Sequence, residues 1–304
     1  MLRLARALAI AALPLAALAA DPPLFFDDFS YTDSDALRAG GWQLREASGH
    51  PGVPGAAWRG DALHLVDDPA QRGNRLLRLS AGTDGTPAGT VQAQVCHARK
   101  SLYGTYAARV RFSDKPASGA GGDPVIQAFY AVSPLRHDFD PEFSEIDWEY
   151  LPNGGWGSAK TRLYAIAWQT VRIEPWQAHN QATEVLGSQA GWHTLLMQVE
   201  DGRAGGRSRW FVDGQQVAQH GGRNHPVVPM AISFSLWFSP GGLLPPSAEP
   251  RAWVLDVDWV MHAAGRLLTP QEVQGEVRRM RGGGIARIDT VPRPRPPLAD
   301  RCDF

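Results

Sequence analysis

The chain has 304 residues, with 30 Lys and Arg against 31 Asp and Glu and a formal net charge of −1. That balance argues against nucleic acid as the main partner, because phosphate binding needs a basic stripe. The length suits one large domain or two small ones.

Residues 1–20 read as a secretory signal. Arg3 and Arg6 form a basic start, Ala7 to Leu18 an apolar run, and Ala17-Leu18-Ala19 a small-residue cleavage site. The run is shorter than the about 20 apolar residues that span a bilayer. A secreted or periplasmic protein without stable membrane insertion is expected. Export permits a disulfide between Cys96 and Cys302, and two free thiols are the alternative.

Leu24 to Ser30 reads as an entry strand, and residues 31–60 hold Gly, Pro and the bulky anchors Tyr31, Trp42 and Trp58. Short strands follow at Ala62 to Val66, Arg75 to Ser80, Thr90 to His97 and Tyr103 to Phe112. A Gly- and Pro-rich loop, 113–124, leads into the apolar strand Val125 to Val132. After loop 133–143 comes Glu145 to Tyr150, closed by the turn residues Pro152-Asn153-Gly154-Gly155. Arg162 to Val171 is a further strand, and 174–191 reads as a long polar loop containing Trp176. Trp192 to Val199, Arg209 to Val212, Gln216 to Ala218, Val228 to Ser239 and Trp253 to Met261 complete the strands. Thr269-Pro270-Gln271-Glu272 is a capping box with Pro at the first helical position, followed by Val273, Val277 and Met280 at helical spacing. Many short strands separated by turns predict one all-β sandwich, a β-jelly roll, with a short C-terminal helix. The sandwich domain, with its C-terminal helix, would run over 21–284, and 285–304 would be an extended Pro-rich tail.

The stretch that demands an explanation is Ser144-Glu145-Ile146-Asp147-Trp148-Glu149-Tyr150. At period two, Ile146, Trp148 and Tyr150 take one face and Glu145, Asp147 and Glu149 the other. Three carboxylates in a row repel one another, so this face is either an outer wet surface or a site for acid/base chemistry. A strand rise of about 3.4 Å puts the Cα atoms of Glu145 and Glu149 about 13–14 Å apart. Side chains leaning inward would leave the carboxyls roughly 5–6 Å apart, the separation of a retaining glycosidase. Spacing does not say which Glu is the nucleophile. Trp237 alternates with Phe234, Leu236 and Phe238 and is either a cleft platform or a filler under a loop. His193 reads as a strand residue, with no second metal ligand at useful spacing.

Glu145-Ile146-Asp147-Trp148-Glu149 resembles the E-I-D-x-E signature of glycoside hydrolase family 16, in the form of the licheninase and xyloglucan endotransglycosylase/hydrolase branches. Pro124 to Tyr130, Glu149 to Asn153, Tyr103 to Val110, Trp192-His193-Thr194, Phe211 to Gly214 and Asp256 to Val260 resemble further family segments, in the family's order. The resemblance implies a concanavalin A-like two-sheet sandwich whose concave sheet is a sugar cleft. It implies Glu145 as nucleophile, Asp147 as helper and Glu149 as acid/base, with no cofactor required. Trp237, Trp168, Tyr164, Gln127 and Asn153 become the candidate substrate contacts, and Tyr164 and Trp168 have packed positions at the cleft edge as their alternative. Asp258 matches the position that binds a structural calcium in the licheninase branch, and capping a strand end is its other reading. The chain departs from the xyloglucan branch where Tyr164 and Ile166 replace a His and an Asn. The implied function is a monomeric, secreted, retaining endo-β-glycanase acting on a polysaccharide, most simply a β-glucan. A transglycosylase using the same carboxylates and a non-catalytic carbohydrate-binding jelly roll are the alternatives.

Overall fold

The computed structural model describes residues 21–299 and Cys302, so the signal expected over 1–20 lies outside the described residues. In chain order the strands begin with β1 (Leu24–Asp27), β2 (Gln43–Leu44), β3 (Ala57–Trp58), β4 (Leu63–Asp67), β5 (Arg75–Thr83) and β6 (Val91–Cys96). They continue through β7 (Gly104–Phe112), β8 (Val125–Val132), β9 (Glu145–Leu151), β10 (Arg162–Arg172), β11 (Gln177–Leu186) and β12 (Gly191–Val199). The last are β13 (Arg207–Val212), β14 (Gln215–Gly221), β15 (Ala231–Phe238), β16 (Arg251–Ala264) and β17 (Arg287–Asp289). Two α-helices accompany them, α1 (Ser34–Ala39) and α2 (Pro270–Gly282). None of the described helices is long and apolar enough to cross a membrane.

The strands form two layers. One sheet runs β2-β6-β15-β8-β9-β10-β11. The other runs β14-β13-β12-β7-β16, with β5 and β1 sharing the far edge of the long β16. Between them lies one continuous core that includes Phe25, Trp42, Tyr106, Phe129, Trp148, Tyr150, Trp210, Phe234 and Trp253. The expected β-jelly roll is therefore the fold. Most of the tryptophans serve the inside, where each buries a large apolar surface.

Helix α2 covers the outer face of the second sheet. Its Thr269 and Glu272 make the predicted reciprocal cap. Val273, Val277 and Met280 pack on Phe26, Leu196, Trp259 and Met261. Three stretches differ from the sequence reading. Residues 177–186, read as loop, pair with β10 as a largely exposed edge strand, which gives its backbone groups partners. Residues 34–39 form a helix capped by the Asp33 side chain, which accepts from the Ala36 N–H. The Pro-rich tail begins with β17, which pairs with β1.

Asp258 is not a vacant cation ligand. Its Oδ1 accepts from Asn74 Nδ2 at 2.8 Å and from Arg281 Nη2 at 2.7 Å, and its Oδ2 accepts from Arg109 Nη1 at 2.7 Å. A carboxylate that already accepts from two guanidinium groups and an amide has its charge and lone pairs engaged and is poorly placed to ligate calcium. Among the described residues, no group of three or more His, Cys, Asp or Glu is placed to hold a metal. The expectation of calcium at Asp258 does not fit these residues.

Two outcomes follow. Melting of the protein should be insensitive to EDTA and to millimolar calcium. Arg281→Ala leaves Asp258 underpaired and should cost about 1–3 kcal/mol by denaturant unfolding. Because Asp28 lies 4.0 Å from Arg281, the variant frees two carboxylates and should regain part of the loss with calcium. The second outcome concerns Cys96 and Cys302, which form a disulfide across 206 residues of sequence. Closing so long a loop restricts the unfolded chain, so the double Ser variant should lose about 2–4 kcal/mol while keeping the same circular dichroism at 20 °C.

Candidate active site

Strand β9 sits inside the concave sheet with β8 on one side and β10 on the other, in antiparallel register with no slip on either side. Glu145 lies between Val132 and Trp168, Asp147 between Tyr130 and Ile166, and Glu149 between Ala128 and Tyr164. Unbroken register keeps strict alternation. Ile146, Trp148 and Tyr150 therefore go fully into the core, while all three acids share the concave face. The solvated-edge reading of the acidic face is excluded, since Glu145 is 6% exposed and Asp147 2%.

Their hydrogen bonding is incomplete. Trp168 Nε1 donates to Asp147 Oδ2 at 2.5 Å, and Trp210 Nε1 reaches through the core to the Asp147 main-chain oxygen at 3.1 Å. Glu145 Oε2, Asp147 Oδ1 and Glu149 Oε2 are buried without a partner. Native interiors satisfy nearly all buried polar atoms, so three such oxygens on one strand mark a place that a polar ligand completes.

Burial dominates the electrostatics. It pushes Asp147 up to about 8, against the opposing hydrogen bonds from Trp168 and Glu145. Glu145 is raised well above the usual carboxylate range by burial, then by the charges of Asp147 and Glu149 and by its bond to Asp147. Glu149 is raised likewise, by burial and then by the Asp147 charge. Three acids in one dry site cannot all ionise, so the cluster holds protons at neutral pH.

The other expected site residues divide. Trp168, Tyr164 and Trp237 stand on the concave face with the acids, in an apolar group with Trp58, Ile126 and Tyr130. Trp168 bonds Asp147 directly. Tyr164 accepts from Arg162 Nη1 at 3.0 Å. Trp237 is 7% exposed, so it packs as a wall of the site rather than as an open platform. Gln127 is a correction: it is fully buried on the opposite face of β8, bonding the Ser113 N–H at 2.9 Å and the Ser113 carbonyl at 2.7 Å. Asn153 also stays out of the cleft. It ties the turn after β9 to the Asp123 carbonyl at 2.8 Å. His193 pairs with Asp213 and is a strand residue.

Three further residues join the site. Tyr130 lies beside Asp147 with its hydroxyl bonded to Ser235. Arg45 is buried over the Trp58 ring, 4.1 Å from its centroid, and donates to Gln94 Oε1 at 2.8 Å. Trp156 stands on the rim, nearly half exposed, with its ring 5.0 Å from Tyr164. It borders an open groove of about 530 Å³ lined by Pro124, Gly155, Ser158, Ser239 and Gly241. A Trp directly after a Gly-Gly turn was the one visible hint of this position.

No protein-family model matches the chain, and no curated protein does. Solved structures do. A prokaryotic β-1,3-1,4-glucanase (lichenase) from a mouse hindgut metagenome is 22% identical with a TM-score of 0.54, covering 79% of this chain and 98% of its own. A Bacillus licheniformis β-glucanase is 19% identical with a TM-score of 0.55, covering 80% and 99%. An endo-1,3-β-glucanase from Streptomyces sioyaensis is 14% identical with a TM-score of 0.57, covering 84% and 100%. The chain shares the β-jelly-roll fold of these glucanases over nearly their whole length.

Proposed function

We propose that the protein is an exported, retaining glycoside hydrolase that cleaves the backbone of a β-linked polysaccharide, a β-glucan in the first instance. The observation that carries this reading is the trio on β9: two Glu at i and i+4 on one face, an Asp between them, and a buried unpartnered oxygen on each. The structural neighbours, glucanases of mixed and β-1,3 linkage, support the substrate class. A binding module would gain nothing from three dry, mutually repelling acids, so the arrangement favours catalysis.

In this mechanism Glu145 attacks the anomeric carbon while Glu149 gives its proton to the departing glycosidic oxygen. A glycosyl ester on Glu145 results. Glu149 then takes a proton from water, whose oxygen displaces Glu145 and leaves the product with its configuration retained. Burial suits Glu149 to the first step, because it keeps the proton near neutral pH. Glu145 must be ionised to attack. Asp147 lies beside it, and burial gives Asp147 the proton affinity to take up that proton, while the Trp168 N–H steadies Asp147 whenever it is ionised.

Glu145→Ala and Glu149→Gln should each lower turnover of β-glucan by about 10²–10⁴-fold with the melting temperature unchanged or raised. Proton NMR of the wild-type digest should show the β-anomer first. Unchanged turnover in both variants, or an α-anomer formed first, would overturn the reading. Activity should fall on the alkaline side as Glu149 loses its proton. Stability carries the same sign. The folded Asp147 titrates near 8 and an unfolded Asp near about 4, so the native state binds the extra proton and loses stability as pH rises through that window. Asp147→Asn removes the ionisation and should relieve about 1–3 kcal/mol at pH 8 relative to pH 5 in urea unfolding. It should also slow turnover.

A further inference from the structure

The concave sheet is covered unevenly. The segment between β2 and β3 folds back over β6. Arg45 Nη2 donates to the His50 carbonyl at 3.0 Å, Trp58 Nε1 to the Gly49 carbonyl at 3.2 Å, and the Val53 N–H to Gln92 Oε1 at 3.2 Å. From the opposite side, the hairpin joining β10 to β11 carries Trp176, whose ring meets Trp168 edge-on at 6.1 Å. The two segments touch: the His50 and Trp176 rings stack at 5.4 Å and 28°. Strands β6 and β10 are four strand spacings apart, about 19 Å along the sheet. Contact between segments rooted on either side means that β15, β8 and the Glu145 end of β9 lie under a roof.

The residues beneath agree. On β6 and β15, Gln92, Gln94, Cys96, Ser233 and Ser235 face the cleft side, and none is more than 3% exposed. Cys96 lies in the same cross-strand row as Ser233, Tyr130 and Asp147. Its disulfide to Cys302 therefore sets the C-terminal tail against that side, beside Ala231. The Glu149 end is different, because it leads to the open groove with the exposed Trp156 ring.

We infer that the cleft is blind: polysaccharide enters from the Trp156 side, and the roof made by His50 and Trp176 leaves room beyond the acids for only a short stub of chain. The strip over β15 and β6 is filled, its cleft-side residues being no more than 3% exposed, so the closed end of the cleft lies close to the acids. Trp156 supplies the flat apolar face on which an entering ring stacks. His50 and Trp176 are thus specificity-determining residues that set the length of the released fragment. The inference rests on the hydrolase reading and narrows its endo-acting form to cuts a fixed short distance from a chain end.

The test follows products from reducing-end-labelled β-glucan oligosaccharides of increasing length, alongside viscosity of the parent polymer. The wild type should release a short product of constant length, with viscosity falling slowly relative to new reducing ends. Trp176→Ala and His50→Ala should open the roof, giving a several-fold rise in longer products and a faster fall in viscosity. Trp156→Ala should raise KM with the product length unchanged. A broad ladder from the wild type would overturn the blind cleft while leaving the hydrolase reading standing, and so would unchanged product lengths in both roof variants. Absence of turnover on every β-glucan by folded wild-type protein would overturn both.

Discussion

The structure depends on the unslipped register of one strand. Residues Glu145 to Tyr150 are paired on both edges, so the strand can neither twist away nor shift by one. A slip of one residue would send three carboxylates into the core and Ile146, Trp148 and Tyr150 into the cleft. The cost of that exchange is large on both faces, so the core that anchors the three apolar side chains also aims the three acids. Stability and site geometry are here the same constraint.

That constraint has an electrostatic consequence. Acids held on a buried concave face lose hydration that nothing in the protein fully replaces, and their affinity for protons rises. Only Asp147 receives an indole donor, from Trp168, while Trp210 fixes the backbone behind it. Two buried acids on β16 of the other sheet are handled in the opposite way. Asp256 is held by Arg78 and Arg111, and Asp258 by Arg109 and Arg281. These two carboxylates are neutralised by guanidinium groups, and those on β9 are left short of partners. Within one protein, the contrast separates scaffold from site.

The loops then decide what the site can hold. The jelly roll by itself offers an open concave sheet. In this chain the β2–β3 segment and the β10–β11 hairpin lean over one half of it and meet ring to ring, while the turn after β9 leaves the other half open around Trp156. The disulfide fixes Cys302 at a further side.

Much of this was legible in the amino-acid order, because it is local. Period-two alternation over 145–150, the capping box at Thr269 and the turn at Pro152 to Gly155 are each written within a few residues, and each acts through the neighbouring backbone. They determined the strand-rich fold, the helix and the facing of the acids. Tertiary structure alone decided the rest, because it depends on which distant residues meet. Gln127 sits in a strand whose neighbours suggested the cleft, yet its face turns to Ser113. Asp258 had two readings, a calcium ligand and a strand cap, and its partner Arg281 lies 23 residues further along the chain, on the helix that packs back over the sheet. His50 and Trp176 carry no local signal at all. They matter only because β6 and β10 flank the strands that bear the acids, and strand order in a sheet is set by packing across the core, not by any short stretch of sequence.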